Sequence, residues 1–431
     1  MHRLVLKCFL MVQHLKASLI LLAAIGSLAA GADDWPQFRG PTGQGVAQEG
    51  PFPTDWSTTR NVAWKQALPG TAWSSPIIYQ ERVYLTSAVE VKATSKQDHS
   101  LRAFCLDTKT GKAIWDVEVF RLDGSTVAPV HSKNSHASPT PLTDGQRLYV
   151  HFGHQGTACL DLDGNILWKN NDLKYNAVHG SGGSPILADD ALVFNCDGLE
   201  HPFVVALNRA TGRVLWKTER QTDCYKKFSF STPLLITVNG KKQIVSSGSG
   251  AVCSYDPATG QEIWRVSYGE GYSVVPSPVY GHGLVFICTG FESPKLLAIR
   301  PDGLGNATET HVVWTGQSAA PLTPSPLLVG DELYLISDNG VASCLDARTG
   351  RLYWKERIGG NYSASPIAAD GKIYFQNEEG DALVIKAGKK FDRLAKNVMG
   401  EKTLASYAAC DCSIYIRTEK HLYKIQEPPQ R

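Results

Sequence analysis

The chain has 431 residues, of which 43% are hydrophobic and 19% are charged, and its formal net charge is only +2. This composition is typical of a globular protein and argues against a disordered chain. Lysine and arginine (43) nearly balance aspartate and glutamate (41), so the sequence lacks the basic footprint of a nucleic-acid-binding protein.

Residues 1–32 have the pattern of a signal peptide. Basic residues precede an apolar core at residues 17–28, and Ala30-Gly31-Ala32 supply small residues before a cut at Asp33, whether translation starts at Met1 or Met11. The apolar run is too short to span a membrane, and no cysteine follows it for lipidation. We therefore expect an exported protein of the periplasm, cell envelope or extracellular space that has no lipid anchor.

A short turn motif recurs along the rest of the chain. Between Cys344 and Trp354, Asp346 can accept hydrogen bonds from its own turn and Gly350 can adopt the positive φ that closes it. The same pattern predicts turn residues Asp107 and Gly111, and Asp256 and Gly260. Copies of the motif occur at residues 103–115, 206–216 and 253–264, with a shorter copy at 158–168 and an expanded one at 298–314. The chain is therefore predicted to be a repeat protein.

Each repeat has two anchors. One is a terminal tryptophan, and these recur every 40 to 53 residues, at Trp64, Trp115, Trp168, Trp216, Trp264, Trp314 and Trp354. The other is a Ser-Pro or Thr-Pro pair that opens an inner strand, where proline loses no ladder bond. These pairs begin at Ser75, Ser138, Ser184, Thr232, Ser277, Ser325 and Ser365. Four short strands in a period of this length predict a propeller blade.

The two ends of the chain complete an eighth unit. A degenerate repeat beginning near Ala405 has only three strands, and residues 61–65 supply one outer strand with its Trp64. We therefore predict an all-β, eight-bladed propeller with four antiparallel strands per blade over residues 61–427, closed by the N-terminal strand so that no sheet edge stays open. The Gly/Pro-rich arm at residues 33–60 is expected to pack on the outer faces of the blades.

The Asp-x-x-Thr-Gly-x-x-x-Trp turn and the strand openers resemble those of the pyrroloquinoline-quinone-like (PQQ-like) eight-bladed propellers. That family includes quinoprotein alcohol dehydrogenases and the outer-membrane protein assembly factor B lipoproteins. The chain is also similar to exported, propeller-only proteins of planctomycete-type bacteria, which carry an arm like Trp35–Pro41. The resemblance implies the fold and leaves the function open, because the motif builds blades and not a site. The repeated tryptophans are expected to dock between adjacent blades, each indole N–H meeting one polar partner.

The segments that precede the inner strands should converge on one mouth of the central channel. This rim is rich in histidine, lysine, tyrosine and asparagine and carries little acid, which fits either a polar or anionic ligand, peptide or glycan segment, or a solvated funnel. Zinc ligation by His131, His136 and His179 matches no known spacing, so no metal is expected. The candidate ligand residues are His131, Lys133, Asn134, His136, His179, Lys226, Lys227, Tyr272, Asn361 and Tyr362.

Nine cysteines remain after Cys8. Cys105, Cys159 and Cys344 share one repeat position at which other copies carry small residues, so they are expected to be buried thiols in different blades. Cys410 and Cys412 are two apart in a predicted strand, a strained spacing for a bond. We expect few or no disulfides.

The features that the resemblance implies for a quinone enzyme are missing from this sequence. The dehydrogenases hold PQQ and calcium with several carboxylates and usually carry an adjacent Cys-Cys disulfide, but this chain has no Cys-Cys pair, no Cys-x-x-Cys-His haem site and no acidic cluster on the predicted rim. No cofactor and no catalytic residue are therefore expected, and a non-enzymatic role is favoured.

The favoured interpretation is an exported, monomeric binding or scaffolding propeller. Its partner at the channel mouth would be an envelope protein, a peptide or a glycan, and neither a nucleic acid nor a transmembrane segment is expected. One alternative is a quinone-dependent dehydrogenase that uses PQQ with calcium. A second alternative is a carbohydrate-binding or carbohydrate-active propeller.

Overall fold

The computed structural model describes residues 34–91, 98–125, 129–316 and 320–428. The predicted signal peptide lies outside these residues and stays a prediction. Within the described ranges, no helix reaches the length and apolarity that a membrane span requires.

Eight antiparallel sheets form the propeller, as the repeat predicts. From the innermost strand outward, blade 1 is Ile77–Tyr79, Arg82–Glu90, His99–Asp107 and Ala113–Leu122; blade 2 is Leu142–Thr143, Arg147–His151, Thr157–Asp161 and Ile166–Asn170; blade 3 is Ile186–Ala188, Ala191–Cys196, Phe203–Asn208 and Val214–Glu219; blade 4 is Leu234–Val238, Lys241–Gly248, Ala251–Tyr255 and Glu262–Ser267. Blade 5 is Val279–Gly281, Leu284–Cys288, Leu296–Ile299 and Val312–Gly316; blade 6 is Leu327–Val329, Glu332–Ile336, Val341–Asp346 and Leu352–Arg357; blade 7 is Ile367–Ala369, Lys372–Gln376, Ala382–Lys386 and Arg393–Asn397; blade 8 is Ala408–Cys410, Ser413–Arg417, His421–Gln426 and Val62–Ala67. The prediction of eight blades is confirmed.

The N-terminal strand closes the ring. Val62–Ala67 pairs antiparallel with His421–Gln426, with Trp64 opposite Lys424 and Ala67 opposite His421. The predicted closure between the two ends of the chain is therefore confirmed, and blade 8 has the same four strands as the others.

The second and third strands of each blade are more buried than the fourth strand. Ala191–Cys196 is buried along its whole length, whereas Ile166–Asn170 alternates between partly buried and exposed residues. The middle strands are covered on both faces by neighbouring blades and can be apolar throughout. The outer strands face solvent and keep a period of two.

Because the strands of a blade alternate in direction, the connections fall on two faces. On the upper face, the outer strand of one blade leads into the next blade, and the second strand leads into the third. On the lower face lie the turn between the first two strands and the Asp-Thr-Gly turn between the last two.

The Asp-Thr-Gly turn is built as the sequence indicates. In blade 6, Asp346 Oδ1 accepts hydrogen bonds from the backbone N–H groups of Arg348 (3.1 Å) and Thr349 (2.9 Å) and from the Thr349 hydroxyl (2.9 Å). Gly350 has a φ of 72°. Side-chain capping and a left-handed glycine close this turn, and the corresponding turns of blades 1, 3 and 4 are built in the same way.

The repeated tryptophans lie between adjacent blades. Trp115 Nε1 donates to the carbonyl of Leu162 in the next blade at 3.0 Å, and Trp354 Nε1 donates to that of Gly388 at 3.0 Å. Trp264 differs, because its indole donates to Gln243 of its own blade at 2.9 Å. The expanded turn of blade 5, which contains a strand at Gly305–Asn306 and a helix at Thr308–His311, replaces the usual docking turn there.

A ring of Ser and Thr hydroxyls joins the blades around the channel. The backbone N–H of Ser75 in blade 1 donates to Thr140 Oγ1 in blade 2 at 2.9 Å, and the N–H of Thr140 donates to Ser184 Oγ in blade 3 at 2.9 Å. The opener of blade 2 is therefore Thr140-Pro141, which corrects the predicted Ser138-Pro139. Both pairs occur in the sequence, and only the inter-blade register distinguishes them.

The prediction that the arm packs on the outer faces of the blades is wrong. Residues 35–47 cross the lower end of the channel and bond to the inner strands, because their backbone groups complete the free inner edges of several blades. Residues 52–57 then run outward beside blade 7, where Trp56 stacks on Tyr374 at 6.2 Å. The bonds in the first part are Trp35 N to Ile78 O (2.9 Å), Thr143 N to Pro36 O (2.9 Å), Tyr280 N to Gln44 Oε1 (2.6 Å) and Ala47 N to Ala368 O (2.8 Å).

The nine cysteines of the described residues form no disulfide, and all but Cys412 are buried. Cys412 has a φ of 53° and lies in the tight turn after Ala408–Cys410. The interpretation of Cys410 and Cys412 as members of one strand is therefore wrong, because the strand ends at Cys410.

Candidate functional site

A cavity of about 530 Å³ occupies the channel. Its lining falls into three tiers, from the lower face to the upper face. The lower tier holds Ser75, Thr140, Ser184, Thr232, Ser325, Ser365 and Ser406, which come from seven blades and immediately precede the inner strands.

The middle tier consists of the residues two positions earlier in each blade. Extended backbone places residues i and i+2 on the same side, so both tiers face the channel. The middle-tier residues are Trp73, Ser138, Gly182, Phe230, Val275, Thr323, Ser363 and Leu404. Phe230 and Val275 of blades 4 and 5 lie across the channel from Leu404 and Trp73 of blades 8 and 1, whereas Ser138, Thr323 and Ser363 bring hydroxyls from blades 2, 6 and 7.

The upper tier forms an aromatic arc over blades 2 to 5. The rings of His131 and His179 lie 5.3 Å apart, those of His179 and Phe228 5.4 Å apart, and those of Phe228 and Tyr272 5.7 Å apart. Tyr272 also stacks on Phe291 at 6.3 Å with an interplanar angle of 26°. Edge-to-face contacts of this kind hold the rings in fixed orientations, so the arc is a preformed apolar wall.

His179 is held in a strained conformation at the start of this arc. Its φ is 66°, and its carbonyl accepts hydrogen bonds from the N–H of His131 (3.2 Å) and from Asn134 Nδ2 (2.8 Å). Partial burial and the neighbouring His131 lower the pKa of the His179 imidazole below its ordinary value. Non-glycine residues in this region of backbone space cluster at functional sites.

The two rim lysines are already paired with carboxylates. Lys133 Nζ lies 2.7 Å from Glu378 Oε1, and Lys226 Nζ lies 3.8 Å from Glu292 Oε1. Lys226 also donates to the Tyr272 hydroxyl at 2.9 Å. The expectation of little acid on the rim is therefore wrong, because the loops between the second and third strands reach the same face and bring in both glutamates.

The structure places six of the ten predicted rim residues in the cavity and four elsewhere. His131, Lys133, Asn134, His179, Lys226 and Tyr272 line it, whereas His136, Lys227, Asn361 and Tyr362 do not.

The four others have different surroundings. His136 lies 5.1 Å from the ring of His99, and burial together with His99 and His154 lowers its pKa to about 4. Tyr362 is buried in the hydrophobic core that blades 6 and 7 share. Asn361 is exposed and Lys227 is partly buried.

Five aromatic residues that line the cavity are absent from the predicted candidates: Phe38, Trp73, Phe228, Phe230 and Phe291. Phe228 and Phe230 lie shortly before the opener Thr232 of blade 4. They belong to the segments that are predicted to converge on the channel mouth, so their position in the sequence could have identified them. Phe38, from the arm, lines the lower end of the cavity. The arm thereby contributes to the floor of the site.

The lining does not fit a calcium-held quinone. Among the residues that the structure describes, no aspartate or glutamate lines the cavity. In the described part of the chain, no group of three or more His, Cys, Asp or Glu side chains could hold a metal ion. Calcium takes six to eight oxygen ligands, with carboxylates prominent among them, and this donor set is absent from the channel walls.

A family model described as outer membrane protein assembly factor BamB matches residues 94–223, 200–301 and 304–390. The chain belongs to this family. The BamB of Shewanella oneidensis is 25% identical over 214 residues, which are 46% of this chain and 51% of that protein. Methanol dehydrogenase subunit 1 of Methylobacterium organophilum is 32% identical over 162 residues, which are 32% of this chain and 24% of that protein. The chain thus spans about half the length of the BamB relative and about a quarter of the dehydrogenase subunit.

Solved structures agree with the BamB family assignment at the level of the fold. BamB from Moraxella catarrhalis has a TM-score of 0.61 at 11% identity, covering 86% of this chain and 98% of that chain. A quinohemoprotein alcohol dehydrogenase from Pseudomonas putida HK5 has a TM-score of 0.59 at 10% identity, covering 93% and 82%. An assembly factor and a dehydrogenase thus share this architecture, so any functional assignment has to come from the site.

Proposed function

We propose that this protein is an exported, non-catalytic propeller that acts as a binding or scaffolding module of the periplasm or cell envelope. Its partner is an envelope polypeptide, which it receives at the upper mouth of the channel. The observation that carries this proposal is the mouth itself: a preformed aromatic arc stands above a cavity of about 530 Å³. Exposed aromatic anchors beside a concave pocket are the usual energetic centre of a binding surface.

The chemistry of the lining supports binding over catalysis. The ionisable groups that line the cavity are His131, His179, Lys133, Lys226 and Tyr272, and both lysines are paired with glutamates. No carboxylate of the described ranges lines the cavity to act as a base or to orient a histidine. The relatives named as assembly factors support the same role.

A quinone-dependent dehydrogenase is the weaker alternative. The match to a methanol dehydrogenase subunit favours it, but the carboxylates that calcium would need do not line the channel.

Carbohydrate binding is the second alternative, and the aromatic arc favours it because sugar rings stack on aromatic faces. Retention on a polysaccharide array would support this alternative if it were lost in His131→Ala and kept in His136→Ala, since only His131 lines the cavity.

The test of the main proposal uses the purified full-length mature chain and a fluorescently labelled outer-membrane β-barrel protein diluted from urea. We expect a saturable rise in fluorescence anisotropy, weakened about tenfold or more in Phe291→Ala, which removes a rim aromatic that is 39% exposed. Leu215→Ala is the control, because Leu215 is 50% exposed on the outer strand of blade 3. The absence of binding, or equal weakening in both variants, would contradict the proposal.

A further inference from the structure

The lower tier of the channel carries hydroxyl protons that have no acceptor among the residues that the structure describes. Each of six hydroxyls accepts a backbone N–H from the residue at the equivalent position of the preceding blade, at 2.9–3.0 Å. Within the described residues, none of the six donates to a protein acceptor. They belong to Thr140, Ser184, Thr232, Ser325, Ser365 and Ser406.

The direction of these bonds fixes what the hydroxyls can offer. A hydroxyl has one proton and two lone pairs. The incoming N–H occupies one lone pair and polarises the O–H, which makes the group a better donor. Since the six side chains come from six different blades and all line the cavity, their protons are available toward the channel.

The side chains above the lower tier also favour the binding of a ligand that accepts hydrogen bonds. Lys226, His131, His179 and the Asn134 amide all line the cavity, and no carboxylate does in the part of the chain that the structure describes. Glu378 and Glu292 lie beside the cavity, and each is balanced by its lysine. Glu378 additionally accepts the hydroxyl of the middle-tier residue Ser363 at 2.6 Å.

We propose that the lower tier of the channel is a carboxylate-binding site that needs no metal ion. The carboxylate oxygens of the ligand accept from neighbouring hydroxyls of the ring, and the rest of the ligand packs against the aromatic arc above. An ionised carboxylate is an acceptor with about four lone-pair sites, which matches a wall of donors. This inference rests on the proposed function and adds the chemistry of what enters the mouth: either a free small polycarboxylate or the carboxyl end of a polypeptide partner.

Isothermal titration calorimetry of the full-length mature protein, in the presence of a chelator, tests the proposal. The probes are the tripeptide Gly-Gly-Phe, its C-terminal amide and tricarballylate. We expect at least one of the two carboxylate probes to bind, and any binding of the tripeptide to be about tenfold tighter than that of its amide. Binding of tricarballylate alone assigns a small molecule as the ligand, and binding of the tripeptide alone assigns a chain end. Equal affinities for acid and amide, or no binding of either carboxylate, would overturn the proposal.

Variants at one position of the hydroxyl ring distinguish the loss of a hydrogen-bond donor from a general effect on the fold. Thr232→Val should weaken carboxylate binding about tenfold, and Thr232→Ser, which keeps the hydroxyl, should restore it. Thr315→Val makes the same change at an exposed position of the outer strand of blade 5 and should leave binding unchanged. If Phe291→Ala reduces polypeptide capture while no carboxylate probe binds, the carboxylate site is wrong and the proposed function still holds.

Discussion

The indole of Trp168 in blade 2 lies against Gly212 in the turn of blade 3, and its Nε1 donates to the carbonyl of Arg209 at 3.0 Å. A Cβ on Gly212 would stand 2.5 Å from Cε3 of that indole, and Gly212 has a φ of +71°. One glycine therefore serves two purposes, since it closes its own turn and makes room for the neighbouring blade. Trp64 with Gly111 and Trp314 with Gly350 repeat the relationship.

Because of this contact, Gly212→Ala is expected to lower the free energy of unfolding substantially. A positive φ costs an alanine roughly 1–2 kcal/mol, and forcing a methyl group into a packed contact adds typically about 1–3 kcal/mol. The matched control is Gly283→Ala, since Gly283 also has a φ of +71° but nothing within 4 Å of its Cβ position. Urea unfolding should show the first variant losing at least about 1 kcal/mol more than the second. Equal losses would mean that the indole moves aside.

The ionised aspartates of the Asp-Thr-Gly turns are expected to stabilise the fold, and this contribution should be lost in acid. Hydrogen bonds from Tyr353 and Thr349 lower the pKa of Asp346 to about 2. Because the folded pKa lies below the unfolded one, the contribution is complete above about pH 4 and is lost as the pH falls toward 2. Asp346→Asn should flatten this part of the curve of melting temperature against pH. Asn208 already caps the blade 3 turn in the same way, so the variant keeps the geometry. Identical slopes for both proteins would contradict this account.

The ion pair of Asp197 with Arg220 is fully buried. Arg220 Nε lies 3.1 Å from Asp197 Oδ1, and Arg220 also donates to Ser246. Asp197→Asn should lower the free energy of unfolding by about 3–5 kcal/mol, because it leaves a buried guanidinium without its counter-charge. Asp116→Asn breaks the more exposed pair with Arg102 and should cost at most about 1 kcal/mol. Thermal or urea unfolding of both variants would measure the difference, and similar losses would show that Arg220 is compensated by other groups.

The arm is predicted to be part of the stable fold. Trp56 is 1% exposed, stacks on Tyr374 and receives support from Asn397, whose Oδ1 accepts its backbone N–H at 3.0 Å. Trp56→Ala should lower the free energy of unfolding by about 3–5 kcal/mol, as for other buried aromatics. Val46→Ala, at a position 36% exposed on the same arm, should change it by less than about 0.5 kcal/mol. An unchanged melting temperature in Trp56→Ala would mean that the arm only rests on the propeller.

The fold could be predicted because its signals are local. The turn from Asp346 to Trp354 encodes its own geometry, and the tryptophan spacing counts the blades. Two predictions, the opener of blade 2 and the path of the arm, were wrong because long-range contacts determine both features. Ser138-Pro139 and Thr140-Pro141 are equivalent locally, and only the hydrogen bond from Ser75 selects Thr140. The arm has no periodic pattern, so its path across the channel follows from free strand edges that the sequence does not display.

The candidate site could be predicted only in part. Loops of unequal length precede the inner strands, so the sequence places His131 and His136 together although only His131 lines the cavity. The glutamates that pair with the rim lysines come from loops between the second and third strands, whose convergence follows from strand direction. The hydroxyl ring did have a signal, since a Ser or Thr precedes the inner strand in every blade. Its position facing the channel depends on how the blades are arranged around the axis.

The central claim is tested most directly by a thermal-shift titration of the mature protein with PQQ, with and without Ca²⁺, combined with a dye-linked alcohol oxidation assay. The account predicts no oxidation and no Ca²⁺-dependent rise in melting temperature, because no described carboxylate lines the cavity to hold the cation. A rise that does not depend on Ca²⁺ would agree with the hydroxyl ring binding the carboxylates of the quinone. A saturable rise that requires Ca²⁺ and is accompanied by oxidation would contradict the account and make the protein a quinone enzyme.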